Sequence, residues 1–414
     1  MNRPVQLLSV GAAIRTLGSA LYNPFLALFL YSVMQISYLE IGLIFVLVGG
    51  IQLPFGLVGG LWADRIGRRR LIVLSLVTEA VFVALLAYAF DIRSLILAIV
   101  VATIAGCLLS ATGAAFSAYI ADWAAASDRT RAFTWYRVSF NVGFAVGTAL
   151  GGTLVEFIGF VDALLVASGI IAVAAGFVVA TLSPSPVDLQ LRAGRVPVTD
   201  PTATTSPARS LRQSLSILSR DRVALLVALA FALAYVSVGQ WNVTFSLFVH
   251  NKLGISYFLL GVGLAINGVI VVVGQSFTTE SLIGRRHTTI AILGTVLYVV
   301  AYLLLGVSAL FVLFPVLLFF LAVIVLTVGE NVVSIPQSTL PSNLAPAGEV
   351  GSYNGAFNTF VSAAGLAAIF FGGAVLTAVS NPLLEWVILV LPAFPAIVLM
   401  RWASRRIANS VDRA

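Results

Sequence analysis

Four ionisable residues sit where such groups are costly. Arg15, Glu79, Arg137 and Glu330 each fall inside an apolar run long enough to cross a bilayer, and a charge at that depth calls for a partner or a task. Arg15 lies too deep to reach water by extending its side chain, so it requires an anion: Glu79, Glu330 or a negative group on a ligand. Glu330 can load and release a proton as water reaches it from one side and then the other, and Glu79 can act as a fixed counter-charge to Arg15 or Arg137. Arg137, nearer the inner end of its run, can snorkel to the interface or pair with Asp122. Glu40, Asp91, Glu156, Asp162 and Glu385 are expected at outer ends, where water solvates them. The chemistry on offer is ion pairing and proton carriage. No nucleophile–base pair or metal cluster is legible. The single cysteine, Cys107, forms no internal disulfide framework, and His250 and His287 are far apart in sequence. Neither an enzyme nor a cofactor is expected.

Around these charges polar residues share helix faces. Arg15, Ser19 and Tyr22 stand at i, i+4 and i+7, with Asn23 next. A later run carries Tyr235, Gly239, Asn242 and Ser246 in the same way, and another carries Glu330, Ser334 and Gln337 with Asn331 beside them. Arg137 and Asn141 form a further face, echoed by Asn358 and Ser362. Each such residue has a plainer use as a hydrogen bond between membrane helices, worth about 0.6 kcal/mol.

The elements that must position these faces follow from composition. The chain has 414 residues, 60% hydrophobic and 9% charged, against about a quarter charged in soluble domains. Apolar stretches of about 20 residues recur at roughly 5–33, 40–59, 71–90, 94–121, 132–155, 162–182, 222–249, 256–278, 288–307, 309–336, 351–379 and 383–401. The expected class is an all-α membrane protein of twelve transmembrane helices. Of the 23 Lys and Arg residues, Arg93 and Lys252 fall on one side, Arg15 and Arg137 fall within spans, and the others fall on the opposite side. The positive-inside rule makes that side cytoplasmic, with both termini there. The basic excess is therefore topological, and no nucleic acid is needed to explain it.

Residues 183–221, rich in Pro, Ser, Thr and Arg, read as a cytoplasmic linker with a short amphipathic helix over Leu211–Leu218. They divide the chain into an N-terminal six-helix bundle, 1–182, and a C-terminal one, 222–414. The halves are repeats. Tyr22-Asn23-Pro24 through Gly42 aligns without gaps with Trp241-Asn242-Val243 through Gly261. Ile66-Gly67-Arg68-Arg69 aligns with Ile283-Gly284-Arg285-Arg286, and Gly151-Gly152 with Gly372-Gly373. Two homologous halves are the architecture of a transporter with its site at the repeat interface.

The loop Gly60-x-x-Ala63-Asp64-Arg65-x-Gly67-Arg68-Arg69 resembles the signature of the major facilitator superfamily between its second and third helices. A worn copy stands at Glu280–Arg286. Gly143-x-x-x-Gly147-Thr148-x-x-Gly151-Gly152 is similar to the glycine motif of the family's twelve-helix drug–proton antiporters, with Thr148 where that motif has proline. Ala102–Gly106 lacks the Arg and Gln-Gly of another antiporter signature.

The resemblance implies a fold of two pseudo-symmetric six-helix bundles, whose first, fourth, seventh and tenth helices line a central cavity. The substrate- and proton-binding candidates are then Arg15, Ser19, Tyr22, Asn23, Glu79, Arg137, Asn141, Tyr235, Asn242, Glu330, Asn331 and Asn358. Gly60, Asp64, Arg65, Gly67, Arg68 and Asp122 form a cytoplasmic gate. Asp64 would accept from a helix N-terminus near Gly351, and Arg65 or Arg68 would reach Asp122. The expected function is proton-coupled export of hydrophobic small molecules by alternating access, from a monomer in the plasma membrane. The alternative is proton-coupled import or facilitated passage of a small organic anion anchored by Arg15. Expected partners are the substrate, protons and the lipid bilayer.

Overall fold

The computed structural model describes residues 2–125, 128–193, 216, 220–241, 243–311, 314–346, 349–409 and 411–413. Among them it is helical throughout, with one isolated bridge between Arg286 and Arg413. The helix expected over Leu211–Leu218 falls almost wholly outside the described residues, and so does Asn242.

Eleven helical segments are long and apolar enough to cross a membrane. They become twelve crossings when the 53-residue α-helix Arg129–Thr181 is divided at Gly159, whose φ of 84° and ψ of 173° are not helical. The fifth and sixth expected spans therefore meet at one residue rather than across a loop. The left-handed φ is cheap only for glycine, which is why the turn falls there.

In chain order the helices are α1 (Arg3–Ala20), α2 (Leu26–Ser32), α3 (Tyr38–Ile66), α4 (Arg68–Asp91), α5 (Leu95–Trp123), α6 (Arg129–Thr181), α7 (Pro186–Arg192), α8 (Arg222–Val238), α9 (Thr244–Asn251), α10 (Tyr257–Leu282), α11 (His287–Ser308), α12 (Pro315–Leu344), α13 (Val350–Ala378), α14 (Pro382–Val390) and α15 (Ala393–Ser404). The first crossing is broken between α1 and α2 by a 3-10 turn at Asn23–Phe25 that begins with Asn23-Pro24. The seventh is broken at the matching place, by a 3-10 turn at Gly239–Trp241. Proline supplies the first break, since it cannot donate to the helix ladder. The second is fastened by side chains: Gln240 donates to the carbonyls of Val236 and Ala368 and accepts from Thr244, while Tyr302 donates to Val238 O at 2.8 Å.

The chain forms two compact units: Met1–Gln35, Leu47–Pro207 and Ser256–Gly268 in the first, Ile36–Val46, Ala208–Ile255 and Val269–Ala414 in the second. The first unit's inner core gathers Leu8, Leu71, Ile72, Leu76, Phe116, Tyr119, Ile120 and Val178. The second's gathers Val227, Phe231, Leu340, Tyr353, Phe357 and Met400. Each unit also packs the start of one helix on a glycine. In the first, a Cβ at Gly152 would meet Tyr257 O and Gly261, and Glu156 accepts from Tyr257 N at 2.9 Å. In the second, a Cβ at Gly373 would meet Tyr38 O and Gly42, and Thr377 accepts from Leu39 N at 3.1 Å. The repeat that pairs these glycines in sequence thus pairs two like crossings in space.

Candidate functional site

In the first unit Arg15 meets Glu79. Its Nε lies 2.7 Å from Glu79 Oε2 and its Nη2 3.1 Å from Oε1, a two-bond fork between α1 and α4 with the side chains 12% and 5% exposed. Of the three partners open to Arg15 on sequence grounds, the carboxylate of Glu79 is the one in place. Both charges are out of water, and the paired geometry is what makes that tolerable: either one alone would cost several kcal/mol. Tyr22 and Tyr136 lie within electrostatic reach of the fork. Tyr136, one residue before the Arg137 face, was not among the sequence candidates; an aromatic hydroxyl in an apolar stretch was the available signal.

In the second unit Glu330 on α12 is half-buried, with Tyr235 of α8 and Tyr298 and Tyr302 of α11 within electrostatic reach. Tyr302 stacks on Trp386 at 4.7 Å and packs beside Tyr298 at 6.1 Å. Its bond to Val238 ties this aromatic wall to the break in the seventh crossing.

Several other candidates make hydrogen bonds to backbone carbonyls. Ser19 donates to Thr16 O, and Asn141 donates to Arg137 O within its own helix. Asn331 is buried; its Nδ2 donates to Ile270 O at 3.3 Å, joining α12 to α10, while its Oδ1 has no hydrogen-bond partner among the described residues. Asn23, Arg137 and Asn358 are exposed. Glu385, expected to be solvated at an outer end, is instead fully buried and paired with Lys252 at 3.1 Å. It sits in the first turn of α14, after the cap that Asn381 provides. Lys252, expected outside on charge grounds, reaches in to meet it.

The signature loop is shorter than a loop. Gly60 lies within α3, and Gly67, at φ 96°, alone separates α3 from α4. Arg68 holds Asp64 at 2.7 Å and Asp122 at 3.1 Å and donates to Ala63 O. Of the two arginines expected to reach Asp122, Arg68 does so and Arg65 is exposed. Arg69 donates to the carbonyls of Leu182 and Val179 at the end of α6, while Asp188 accepts from Arg69 N at the start of α4. In the worn copy Gly284 repeats the positive φ, at 79°. Arg286 donates to Ser404 O and pairs with Asp412 at 2.6 Å, and Asp412 accepts from Thr288 N and Thr288 Oγ1. The copy has kept the clamp on its helix start and lost the Asp64 position, where Ser281 now stands.

The glycine row of α6 lies on α1. A Cβ at Gly143, Gly147 or Gly151 would collide with the carbonyl of Ala13, Leu17 or Leu21 respectively. Small residues at four-residue spacing let two backbones approach this closely, and the contact carries Arg15 and Ser19 on the same helix.

A family model of the Major Facilitator Superfamily matches residues 8–369. The chain belongs to the major facilitator superfamily. An uncharacterized MFS-type transporter, YttB of Bacillus subtilis (strain 168), is 25% identical over 380 residues, which cover 90% of this chain and 88% of that one. The class D tetracycline resistance protein of Salmonella ordonez is 30% identical over 154 residues, 37% of this chain and 38% of its own. The class B protein of Escherichia coli is 34% identical over 111 residues, 27% of each chain. Among solved structures, nucleoside transporter NupG superposes with a TM-score of 0.72 at 14% identity, covering 98% and 99% of the two chains. A peptide transporter POT in complex with sulfate superposes with a TM-score of 0.75 at 13% identity, covering 100% and 96%. These likenesses are of fold. The protein is a multi-pass membrane transporter of small molecules in this superfamily.

Proposed function

We propose that this superfamily member is a proton-coupled antiporter that exports hydrophobic, drug-like molecules by alternating access, as a monomer in the plasma membrane with both termini cytoplasmic. The observation that carries this reading is the Arg15–Glu79 fork. The deepest cation already has its carboxylate at two hydrogen-bond distances, so it does not offer itself to an anionic cargo. The aromatic surroundings of Glu330 suit an apolar cargo, and the partial identity with two tetracycline resistance proteins supports the same direction. In this reading Glu330 carries the proton, Glu79 holds Arg15 in place, and Asp64, Arg68 and Asp122 latch the cytoplasmic side. The rival reading, passage of a small organic anion on Arg15, requires Glu79 to release its partner first.

The test is accumulation of a tetracycline and of hydrophobic dyes in proteoliposomes under an imposed proton gradient. Wild type should accumulate cargo against its gradient. Glu330→Gln should lose that accumulation and keep exchange of labelled for unlabelled cargo. A variant that still responds fully to the proton gradient removes Glu330 from the coupling.

A further inference from the structure

The signature loop has a second surface that the latch does not use. Arg65, Ile66, Gly67, Arg69 and Arg70, together with Asp188, Leu191 and Arg192 of α7, enclose a cavity of about 350 Å³. Four arginines thus face one carboxylate. Asp188 is buried and half engaged: its Oδ2 accepts from Ser185 N and Arg69 N, while its Oδ1, with no hydrogen-bond partner among the described residues, lies over the bare Cα of Gly67. Arg69 is engaged too, by the carbonyls at the end of α6. The side chains of Arg65, Arg70 and Arg192 have no hydrogen-bond or ion-pair partner among the described residues. All three residues are exposed, so water screens part of their mutual repulsion; an anion that joins them offsets the rest, and the planar fork of arginine matches phosphate oxygens two at a time.

The surroundings say what kind of anion. Arg70 begins a face of α4 that continues through Leu74, Val77, Val81, Leu85 and Tyr88, all exposed and spaced by three or four residues so that they lie in one line. In a membrane protein such a line faces acyl chains. Leu189 of α7 and Ile66, 54% and 40% exposed, flank the cavity with more apolar surface. Charge and hydrocarbon contact therefore meet at the cytoplasmic end of one stripe, and the cytoplasmic leaflet is where anionic lipids gather beside basic segments.

We infer that this cavity binds a phosphate-bearing anion, the phosphodiester headgroup of an anionic glycerophospholipid, with an acyl chain along the Leu74–Tyr88 face of α4. The bound lipid bridges the signature loop to α7, using arginines distinct from Arg68 of the latch.

Native mass spectrometry of the full-length protein in detergent, supplemented with phosphatidylglycerol or phosphatidylcholine, tests this. Wild type should retain phosphatidylglycerol about tenfold better than phosphatidylcholine, from attraction by the three arginines. Arg65→Gln/Arg70→Gln/Arg192→Gln should lose most of that preference. Arg129→Gln/Arg401→Gln/Arg405→Gln, which removes the same charge at exposed cytoplasmic positions, should keep it. Should the triple variant fail to purify as a single species, Arg192→Gln alone, on the short exposed helix, should still lower retention severalfold. Equal retention by wild type and the cavity variants overturns the site, as does an equal loss in the control. If millimolar inorganic phosphate raises the melting temperature as much as phosphatidylglycerol does, and in the same arginine-dependent way, the site is for free phosphate and the lipid assignment falls.

Discussion

Arg15 and Glu79 illustrate how a buried ion pair is strong only as a pair. Removing one partner leaves a naked charge in a dry site, which typically costs about 3–5 kcal/mol, whereas replacing both with apolar groups of like volume is often neutral. Glu79→Gln should therefore lower stability sharply in detergent, and Arg15→Met/Glu79→Leu should recover most of it. A double variant as unstable as Glu79→Gln would show that the fork is worth more than its own neutralisation. The depth of Arg15 made a partner obligatory from the sequence, but the choice among Glu79, Glu330 and an anionic group on a ligand depends on how α1 packs on α4, and no local pattern records that. Glu385 shows the opposite limit. Its position near a helix start read as wet, and Lys252, arriving from another element, made it dry.

At the scale of elements, the row Gly143, Gly147 and Gly151 decides how closely α6 approaches α1. Gly147→Val would press against the backbone of Leu17, and overpacking of this kind costs about 1–3 kcal/mol. Its melting temperature should fall clearly. Gly169→Ala, where an added Cβ meets nothing within 4 Å, should leave stability within about 1 kcal/mol of wild type. If both substitutions lower it equally, contact with α1 is not the cause, since Ala and Val each favour a helix more than Gly does. A second element-level device is the clamp on the start of α11. Asp412 is fully buried and caps Thr288, so Asp412→Ala should cost about 1–2 kcal/mol and free the preceding residues to proteolysis. An unchanged cleavage pattern would mean that the tail is held instead by Asn343, whose Nδ2 donates to Val411 O at 3.1 Å, and by His287, whose N donates to Asp412 O at 2.7 Å. Helix positions were readable because twenty-residue apolar runs announce themselves. Their joints were not: whether a crossing is broken, as at Gly239–Trp241, or fused to the next, as at Gly159, turns on single backbone angles and on distant side chains such as Tyr302.

For the whole molecule, the signature loop and the six-plus-six repeat were enough to place the chain in its superfamily, because a motif and its worn copy recur at matching places in both halves. Cargo and coupling were less legible, since they rest on which polar side chains are left over after the fold has used its share. Ser19, Asn141 and the amide nitrogen of Asn331 each donate to a backbone carbonyl, whereas Asn331 Oδ1 is left over among the described residues. Transport measurements act at this scale. Asp64→Asn weakens the pairing with Arg68 at 2.7 Å and should slow turnover severalfold while substrate affinity, read by thermal shift with saturating cargo, stays near wild type. A large loss of affinity instead would place Asp64 in the binding step.

The clamp that joins Arg69 with Asp188, and its counterpart that joins Arg286 with Asp412, has a consequence for the history of the chain. In each half the last arginine of the loop seizes the end of the sixth helix, and an acid from just beyond that helix caps the start of the third. A device present in both copies has the distribution expected of one older than the duplication. The Asp64–Arg68–Asp122 network, which only the first half retains, has been free to diverge between the copies. The fastening stands in both halves, and the Asp64–Arg68–Asp122 network in the first.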